Sequence, residues 1–360
     1  MITSSTVGGG PNQLFLLARE LKNTYQISVA APYDDFYLQK LNTLSLTSIL
    51  RVQRRAINLL DLFRLVYFLK TNQISMIHSH GKAAGVLGRI TSFLTGIPLI
   101  HTFHGIHVSG KSLLARCIYI LYEKVFGKID LCEVYVSQSE KNMARKYFFH
   151  PEKISLVIPN GVNNYENELS SEETRATIRS ELNIRDNVIS VVTLCSLEPI
   201  KNLYESLRIA KLCPELSFWI IGEGSLFSEL QKWIKKYQIK NVILPGYCKE
   251  PKEFLCAADI YFSSSHREGH PLSILEAMSV GLPVVASNVA GNVDTIENDK
   301  SGFFYDIGDI SEASILLKRL ASDPNLRLNL GHNAQRLQRQ KFSSKIMCQR
   351  YSNLYSRINT

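Results

Sequence analysis

The segment from Ser263 to Ser287 reads SSSHREGHPLSILEAMSVGLPVVAS and carries two carboxylates, Glu268 and Glu276, that could serve a polar ligand. Its pattern predicts a buried strand, a loop, a helix, a glycine stop and a second strand. Pro271 suits the first turn of the helix, where its missing N–H leaves no hydrogen bond unmade, and Gly281 suits the C-terminal stop. The segment therefore predicts a helix whose N-terminus opens into a loop.

The backbone N–H groups at the start of this helix, around His270 to Ser273, have no acceptor in a preceding turn. They form an anion site suited to a diphosphate. Glu268 lies just before the helix, and Glu276 lies about one and a half turns inside it among apolar residues. A carboxylate in such a place needs polar partners, and the hydroxyls of a sugar and a ribose would serve. The alternative is an ordinary helix with an acid at its N-terminus and a surface glutamate.

Short apolar runs and longer amphipathic runs alternate along the chain, which predicts parallel α/β sheets. The predicted strands are Gln26–Ala31, Met76–His80, Pro98–Phe103, Leu131–Ser137, Ile154–Pro159, Val188–Cys195, Leu216–Ile221, Val242–Leu244, Ile260–Ser263 and Pro283–Ala286. The predicted helices include Asn12–Lys22, Ala56–Lys70, Ala83–Leu94, Leu113–Phe126, Glu140–Lys146, Ile310–Ala321, Asn325–Gln340 and Phe342–Ile358.

A polar, acidic stretch over residues 163–175 interrupts the pattern and predicts a linker. We therefore expect two doubly wound, Rossmann-like domains, 1–165 and 170–342. The last amphipathic segment, 343–360, is expected to cross back to the first domain. In such folds ligands lie at the carboxyl ends of the strands, and the cleft between two such domains is the natural site.

A glycine-rich loop, Gly8 to Gly10, precedes the first predicted helix. Glycines there would let the backbone approach phosphates without side chains in the way, and the alternative is a plain flexible turn. Only a few residues precede Val7, where a whole strand would normally stand. Either the chain starts upstream of Met1 or its first strand is unusually short.

The chain has 360 residues, of which 45% are hydrophobic and 20% are charged, so disorder is excluded as its main state. No apolar run reaches the roughly 18 residues that a membrane span needs, and the N-terminus lacks the features of a signal peptide. Seven scattered cysteines without a CxxC pair argue against zinc and disulfides. We therefore expect a cytoplasmic protein.

The net charge of +9 lies entirely in the first part of the chain. Residues 1–150 hold 17 Lys and Arg against 8 Asp and Glu, whereas residues 151–360 hold 24 of each kind. A basic half attracts a membrane leaflet, a phosphorylated acceptor or nucleic acid. The alternative is a solvated surface with an accidental bias.

Two stretches in the basic half, 51–69 and 111–128, mix cations with apolar side chains. Such helices can lie on an anionic bilayer. Alternatively, their apolar stripes pack on the sheet and their cations face water. Together with the charge asymmetry, they favour peripheral membrane association. Nucleic acid is not expected, because there is no aromatic stacking platform and no nucleic-acid-binding motif.

Five histidines lie close in sequence or in strand register: His78, His80, His101, His104 and His107. Residue chemistry alone does not single out one of them. His78 and His80 form an HxH pair on one face of a strand, but no acidic partner accompanies them, so a metal site is not expected.

The E-x7-E pair in EGHPLSILEAM resembles the signature of GT-B glycosyltransferases of family GT4, the retaining group that uses sugar nucleotides. Further segments resemble other blocks of that family in the same order: VGGGPNQLFLLARELK, IHSHGKAAGVLGRI, HTFHGIH, YVSQSE, VIPNGV, WIIGEGSLFSEL, VILPGYC and FSSKIMCQRYSNLYSRI. The resemblance covers nearly the whole chain. It implies a GT-B fold, with two Rossmann-like domains facing across a cleft and a C-terminal helix that crosses back.

The resemblance also implies roles for matching residues. Glu268 would contact the donor sugar, Glu276 the ribose, and His104 the sugar or acceptor near the reacting carbon. Lys201 would compensate the leaving nucleoside diphosphate, which makes Glu268, His104 and Lys201 the catalytic candidates. The donor-binding candidates are Gly8, Gly9, Ser196, Lys201, Gly222, Tyr247, Gly269, His270, Pro271, Leu272 and Glu276.

One departure from the family pattern follows the strand Val188–Leu194. The family usually places an arginine there and a lysine five residues later. This chain has Lys201 at the lysine position and Ser196 at the arginine position. Losing one charge opposite a departing diphosphate costs about 3 kcal/mol of transition-state stabilisation. Arg267 is a candidate substitute, and the departure is what a weakened, altered or inactive enzyme would show.

We therefore expect a retaining glycosyltransferase that moves a hexose or N-acetylhexosamine from a nucleotide sugar to a lipid-linked or cell-surface polysaccharide acceptor. The resemblance favours a UDP-sugar and implies that neither a metal nor another cofactor is needed. One alternative is a non-catalytic or weakened sugar-nucleotide-binding subunit. Another is a sugar-nucleotide epimerase on the same architecture. The expected location is the cytoplasm, at the inner face of the membrane.

Overall fold

The computed structural model describes residues 1–3, 9–32, 36–53, 59–106, 112–148, 150, 153–164, 172–248 and 250–358. The chain divides into two compact units. Unit 1 comprises Met1–Asn160 and Ser344–Thr360, and unit 2 comprises Gly161–Ser343. Each unit is built on its own parallel sheet.

The strands of unit 1 are β1 (Ile2–Thr3), β2 (Ser28–Pro32), β3 (Ser48–Val52), β4 (Ile77–His80), β5 (Leu99–Phe103), β6 (Cys132–Tyr135) and β7 (Ile154–Val157). Its described helices are α1 (Gly9–Leu21), α2 (Phe36–Asn42), α3 (Leu59–Thr71), α4 (Lys82–Thr95), α5 (Leu113–Phe126), α6 (Gln138–Tyr147) and the C-terminal α14 (Ser344–Ile358). The strands are parallel in the order β3-β2-β1-β4-β5-β6-β7.

Helices cover both faces of the unit 1 sheet. Successive residues of a strand point to opposite faces, so Val29 and Ala31 pack with α1 and α14, whereas Ala30 packs with α3 and α4. The helices α3, α4, α5 and α6 follow strands β3 to β6, and right-handed crossovers place them on one face of the sheet. The helices α1 and α2 connect strands in the opposite direction along the sheet, so they lie on the other face, where α14 also packs. With both faces covered, the strands can be apolar throughout, as β2 and β5 are buried along their whole length.

The C-terminal helix α14 packs against α1 in unit 1. Met347, Cys348 and Tyr351 of α14 are buried there, and the Gln13 side-chain amide of α1 donates a hydrogen bond to the Tyr351 hydroxyl at 3.2 Å. The prediction that the last helix crosses back to the first domain is confirmed.

The strands of unit 2 are β8 (Ser190–Leu194), β9 (Ser217–Ile221), β10 (Val242–Gly246), β11 (Ile260–Ser263), β12 (Val284–Ser287) and β13 (Gly302–Tyr305). Its described helices are α7 (Glu172–Glu181), α8 (Leu203–Leu212), α9 (Phe227–Lys236), α10 (Pro251–Ala257), α11 (Leu272–Ser279), α12 (Ile310–Ser322) and α13 (Pro324–Lys341). The strands are parallel in the order β10-β9-β8-β11-β12-β13.

The predicted elements agree with the structure to within a few residues, and the bounds of α5 and β11 agree fully. The sequence pattern missed α2, β3 and β13. The predicted linker is wrong at its end, because α7 already begins at Glu172. The first turn of that helix contains Glu172 and Glu173, whose negative charges interact favourably with the helix dipole. The same two residues are also typical of a polar linker.

Candidate active site

The switch point of the unit 2 sheet lies between β8 and β11, where the strand order reverses. The loops that follow these two strands meet at a salt bridge. The Lys201 ammonium donates a hydrogen bond to Glu268 Oε1 at 2.6 Å, and the Ser265 hydroxyl donates to the same oxygen at 2.7 Å. Ligands bind at such switch points in open α/β sheets. The structure therefore brings together two of the three catalytic candidates, from positions 67 residues apart.

The Lys201–Glu268 pair is only partly accessible, with 20% and 14% of the two side chains exposed. Burial by itself lowers the pKa of Lys201, but the Glu268 carboxylate outweighs burial and raises it, so the lysine is a cation. The neighbouring Cys195 thiol is different, because burial raises its pKa to about 12. The pair therefore presents an ammonium beside a carboxylate, whereas the neighbouring thiol is neutral.

Serine hydroxyls hold the Lys201 loop in place. Lys201 ends a short 3-10 turn, and Asn202 follows in the left-handed region with φ of 53°. The Ser264 hydroxyl, after β11, donates to the Lys201 carbonyl at 2.8 Å and to the Asn202 carbonyl at 3.1 Å. The Ser206 hydroxyl lies 2.7 Å from that of Ser264. Sequence reasoning missed Ser264 and Ser265, and the signal for them was a run of three serines that begins with the last residue of the buried strand β11.

The Glu268 loop is held from the other side by the turn after β12. The Glu268 N–H donates to the Ala290 carbonyl at 3.1 Å. Gly291 follows with φ of +87°, and a Cβ there would lie 2.6 Å from the Glu268 carbonyl oxygen. Only glycine fits such an approach at a positive φ. The position of Glu268 therefore depends on a glycine that sequence reasoning did not select.

The helix α11 starts one residue later than the sequence pattern indicates. Pro271 is the N-cap, with an extended ψ of 112°, rather than a residue of the first turn, and its carbonyl accepts the first helical hydrogen bond from the Leu275 N–H at 3.2 Å. The N–H groups of the first turn, which begins at Leu272, have no acceptor within the helix. Glu276 is half-buried in the second turn.

The far end of α11 confirms the glycine stop. Gly281 has φ of +83°, its N–H donates to the Met278 carbonyl, and the Leu282 N–H donates to the Ala277 carbonyl. These two bonds form a Schellman motif.

Of the donor-binding candidates before α11, Gly269 is half-buried and His270 is buried. The His270 ring packs against Phe342 with 5.0 Å between ring centroids, and burial lowers its pKa to about 3. The His270 side chain therefore acts as a neutral core group.

The loops that follow β8 and β9 pack so closely that one position between them requires a glycine. Gly222 follows β9 with φ of +143°, and a Cβ there would lie 1.9 Å from the Cys195 carbonyl oxygen. The Gly222 N–H donates to the Gly246 carbonyl at 3.0 Å. Glu198, which sequence reasoning did not select, accepts hydrogen bonds from the Ser225 N–H at 3.1 Å and from its hydroxyl at 2.8 Å. The turn after β9 is thereby fixed against the Lys201 loop.

Two further candidates on this edge are exposed. Ser196 lies on the surface after β8, and Tyr247 follows β10 with 62% of its surface exposed. An arginine at position 196 would therefore have room at the surface.

In unit 1, the candidate His104 follows β5 and lies beside the start of α1. A Cβ on Gly10 would lie 3.4 Å from the His104 ring, and His104 Nε2 lies 3.3 Å from His80 Nδ1. Gly9 is the first residue of α1, whereas Gly8 lies outside the described residues. Burial lowers the pKa of His104 to about 4, so its imidazole is neutral at pH 7.

The other described histidines of the cluster are buried in the core. His78 shares hydrogen bonds with the Tyr355 hydroxyl at 2.5 Å and the Thr102 hydroxyl at 2.8 Å, and His101 Nδ1 lies 2.8 Å from the Ser79 hydroxyl. His78, His80 and His101 are at most 3% exposed, whereas His104 is half-buried. His107 lies outside the described residues. Among those described, His104 is therefore the one histidine of this cluster that a ligand can reach.

A buried carboxylate holds the turn after His104. Glu140 Oε1 accepts a hydrogen bond from the Gly105 N–H at 2.6 Å, and Oε2 accepts one from the Val136 N–H at 3.0 Å. Burial raises the pKa of Glu140 to about 7, against the opposing effect of these hydrogen bonds. Sequence reasoning quoted Glu140 within YVSQSE but gave it no function.

Over the described residues, no three His, Cys, Asp or Glu side chains lie together as a metal site would require. Metal independence stays a prediction.

The two doubly wound parallel sheets define the fold, because solved GT-B glycosyltransferases share this architecture. Anabaena HepE, solved in complex with UDP and glucose, superimposes with a TM-score of 0.87 at 20% identity, over 99% of this chain and 98% of its own. The sucrose-phosphate synthase of Thermosynechococcus elongatus gives a TM-score of 0.82 at 18% identity, over 99% and 98%. The fold is therefore of the GT-B type.

Sequence comparison gives the family. Residues 7–164 match glycosyltransferase family 4, and residues 174–337 match the glycosyl transferases group 1. The Escherichia coli UDP-Gal:alpha-D-GlcNAc-diphosphoundecaprenol alpha-1,3-galactosyltransferase is 30% identical over 287 residues, 75% of this chain and 72% of that protein. The Campylobacter jejuni N,N'-diacetylbacillosaminyl-diphospho-undecaprenol alpha-1,3-N-acetylgalactosaminyltransferase is 25% identical over 351 residues, 92% of this chain and 91% of that protein. This chain belongs to glycosyltransferase family GT4.

Proposed function

We propose that this chain is a retaining glycosyltransferase that transfers a hexose or N-acetylhexosamine from a UDP-sugar to a lipid-linked or cell-surface glycan. The observation that carries the proposal is the Lys201–Glu268 pair at the switch point of unit 2, beside the start of α11. A cation and a helix N-terminus suit a diphosphate, and a carboxylate suits sugar hydroxyls. The relatives named above are transferases, which favours transfer over the epimerase alternative.

In this mechanism Lys201 acts on the leaving group. An ammonium has three N–H donors, so Lys201 can keep its bond to Glu268 and still donate to a phosphate oxygen. The first-turn amides of α11 bind the other phosphate oxygens. Together with Lys201 they stabilise the negative charge that grows on the diphosphate as its bond to the sugar breaks. Ser196 supplies no second cation, so Lys201 and the helix N-terminus carry this task, with the half-buried Arg267 beside Glu268 as the candidate substitute.

Glu268, His104 and Glu276 are assigned to the sugar and the ribose. Glu268 is held by Lys201 and Ser265 through one carboxylate oxygen, which leaves acceptor capacity for a sugar hydroxyl. The neutral His104 binds a hydroxyl of the sugar or acceptor without adding charge. The Glu276 carboxylate accepts hydrogen bonds from the ribose hydroxyls. We assign no carboxylate as nucleophile, and the acceptor hydroxyl attacks from the face that the diphosphate leaves. Its oxygen bonds to the anomeric carbon as the bond from that carbon to the phosphate oxygen breaks, and its proton passes to the departing diphosphate.

The names of the relatives support the donor, the acceptor and the stereochemistry. The Escherichia coli relative uses UDP-Gal and a diphosphoundecaprenol-linked acceptor, and it makes an alpha linkage. UDP-galactose is itself an α-glycoside, so an alpha product means retention. We extend these properties to this chain as substrate class and place it in the cytoplasm, at the inner face of the membrane.

The first experiment measures thermal stabilisation by UDP, GDP, ADP and CMP, each at saturation, with and without EDTA. A ligand that binds the folded state raises the midpoint by mass action. We expect a shift with UDP that survives EDTA and is lost in Glu276→Ala. The matched control is Glu215→Ala, at an exposed residue outside the site. No shift with any nucleotide contradicts the donor assignment, and a shift that EDTA abolishes contradicts metal independence.

Turnover is tested next with UDP-sugars and an undecaprenyl-diphosphate-linked acceptor. Release of UDP and the anomeric configuration of the product by NMR distinguish transfer with retention from inversion. A β-linked product from an α-linked donor contradicts the proposed mechanism.

A further inference from the structure

The helix α5 exposes its apolar side to the surface of unit 1. Leu114, Ile118, Leu121 and Val125 recur at spacings of four, three and four residues, which places them in one stripe. All four are more than half exposed. An amphipathic helix on a sheet normally turns such a stripe toward the core.

The inward side of α5 is fixed by a buried ion pair in addition to the packing of Tyr119 and Ile120 on the core. Glu123 of α5 is 2% exposed and pairs with the Arg89 guanidinium of α4 at 2.9 Å. Arg89 also pairs with the buried Asp130 at 2.7 Å. Breaking a buried ion pair is strongly destabilising, so α5 cannot rotate to hide its apolar stripe. The exposed stripe is therefore a built feature of the surface.

The neighbouring helices extend this surface. On α3, Phe63 and Tyr67 lie one turn apart and are 70% and 72% exposed, and Phe93 at the end of α4 is 77% exposed. The helices α3, α4 and α5 lie on the same face of the unit 1 sheet, with α4 packed against both of the others. We call the exposed side chains of these three helices the apolar face. Exposed apolar groups collected on one side of a protein mark an interaction site.

The charges of the three helices have one sign at the surface. In the described parts of these helices the acids are Asp61 and Glu123, and both are buried. By contrast, Arg64, Lys70 and Lys124 are exposed. A second copy on the apolar face would bring these cations against their own counterparts, which is unfavourable. Apolar side chains surrounded by cations match an anionic bilayer, whose interior accepts the former and whose phosphates accept the latter.

We propose that the apolar face docks unit 1 onto an anionic phospholipid bilayer. Leu114, Ile118 and Leu121 insert among the acyl chains, and Lys124 and Lys70 lie at the lipid phosphates. This docking deepens the proposed function, because a lipid-linked acceptor lies in the same bilayer. The docking surface itself is inferred only from the exposure and the charge of its side chains. Since none of the described helices could traverse a bilayer, the docking is peripheral.

The test is co-flotation of the full chain with vesicles, without donor or acceptor. One vesicle type is phosphatidylcholine and the other contains phosphatidylglycerol as well. We expect flotation with the anionic vesicles, weakened by high salt. Leu114→Gln with Leu121→Gln should lower the partition coefficient by about tenfold or more, since each leucine loses its transfer to the apolar phase. Lys124→Gln should lower it by about fivefold.

The matched control is Ile315→Gln with Leu328→Gln, two apolar residues of unit 2 that are 64% and 61% exposed. This control should float like the wild type. Equal flotation of the Leu114/Leu121 variant and the wild type overturns the proposal, as does absence of flotation of the wild type. A wild-type dimer that becomes monomeric in this variant, without a change in vesicle binding, assigns the face to a second copy and also overturns it.

The UDP-induced thermal shift, measured without vesicles, separates this proposal from the proposed function. A variant that keeps the shift and loses flotation has lost only docking. A wild type that floats but shows no shift retains the docking surface and loses the donor assignment.

Discussion

The substitution Lys201→Met removes the cation from the switch point of unit 2 while keeping a side chain of similar length. Glu268 then keeps only the Ser265 hydroxyl of its two described donors. Breaking a buried pair costs about 3–5 kcal/mol, and the residual exposure of 20% and 14% reduces the expected loss of unfolding free energy to about 2 kcal/mol. Loss of one charge-assisted bond to the diphosphate should weaken UDP binding by about tenfold to a hundredfold. Turnover should fall by about a hundredfold or more.

The assay is a double-mutant cycle with Glu268→Gln, followed by urea unfolding, calorimetric titration with UDP and release of UDP from the donor. Because the two side chains are in contact, their unfolding free energies should be non-additive by about 1–2 kcal/mol. Additive unfolding free energies would refute the pairing. If Lys201→Met lowers stability but leaves the Kd for UDP and kcat unchanged, the lysine is structural and the assignment of the leaving-group role is wrong.

Three further substitutions test other parts of the site. Ser196→Arg should raise kcat by about tenfold, less than the full effect of about 3 kcal/mol because solvent screens a cation at this exposed position. Ser196→Met is the uncharged control, and an equal kcat for both contradicts the charge argument. Gly222→Ala should destabilise unit 2 by more than about 3 kcal/mol in urea unfolding, because its Cβ would collide with the Cys195 carbonyl at a positive φ; near-normal stability would contradict this geometry. Glu140 has a raised pKa of about 7 in the folded state, so its carboxyl favours folding at low pH and that contribution, about 3 kcal/mol, is lost as pH rises through 7. Glu140→Gln should remove this part of the pH dependence between about pH 4.5 and 7, and an unchanged slope would contradict it.

The parts of the fold that sequence reasoning predicted well are those with strong local patterns. The strand β11 is a short run, IYFS, that ends in a serine-rich segment, and α5 is a run of 14 mainly apolar residues with charges only at Arg116, Glu123 and Lys124. The helix α2 and the strands β3 and β13 are short and carry no comparable signal. For α7, two adjacent glutamates suit both a linker and a helix start, and only its packing distinguishes the two.

The site depends on long-range topology, which a single sequence does not reveal. Lys201 and Glu268 were selected because the chain resembles a family, but their contact comes from the reversal of strand order between β8 and β11. The sequence could not show which histidine of the cluster a ligand can reach. His78, for example, is buried in a hydrogen bond with Tyr355, a partner 277 residues away. The direction of the α5 stripe was open for the same reason, since Arg89 and Asp130 fix it from other elements.

The dependence of unit 1 on α14 has a consequence for biosynthesis. Gln13 and His78 emerge early from the ribosome, but their partners Tyr351 and Tyr355 follow only after the whole of unit 2 has been translated. At about 5–20 residues per second, the 277 residues from His78 to Tyr355 take roughly 15–55 s. Throughout this interval the α1 side of the first sheet is uncovered where α14 will pack, whereas the core of unit 2 needs no segment after Ser343 to close. The nascent first half is thus a natural client for chaperones, and ribosome-stalled chains lacking α14 should be cleaved by protease in unit 1 before unit 2.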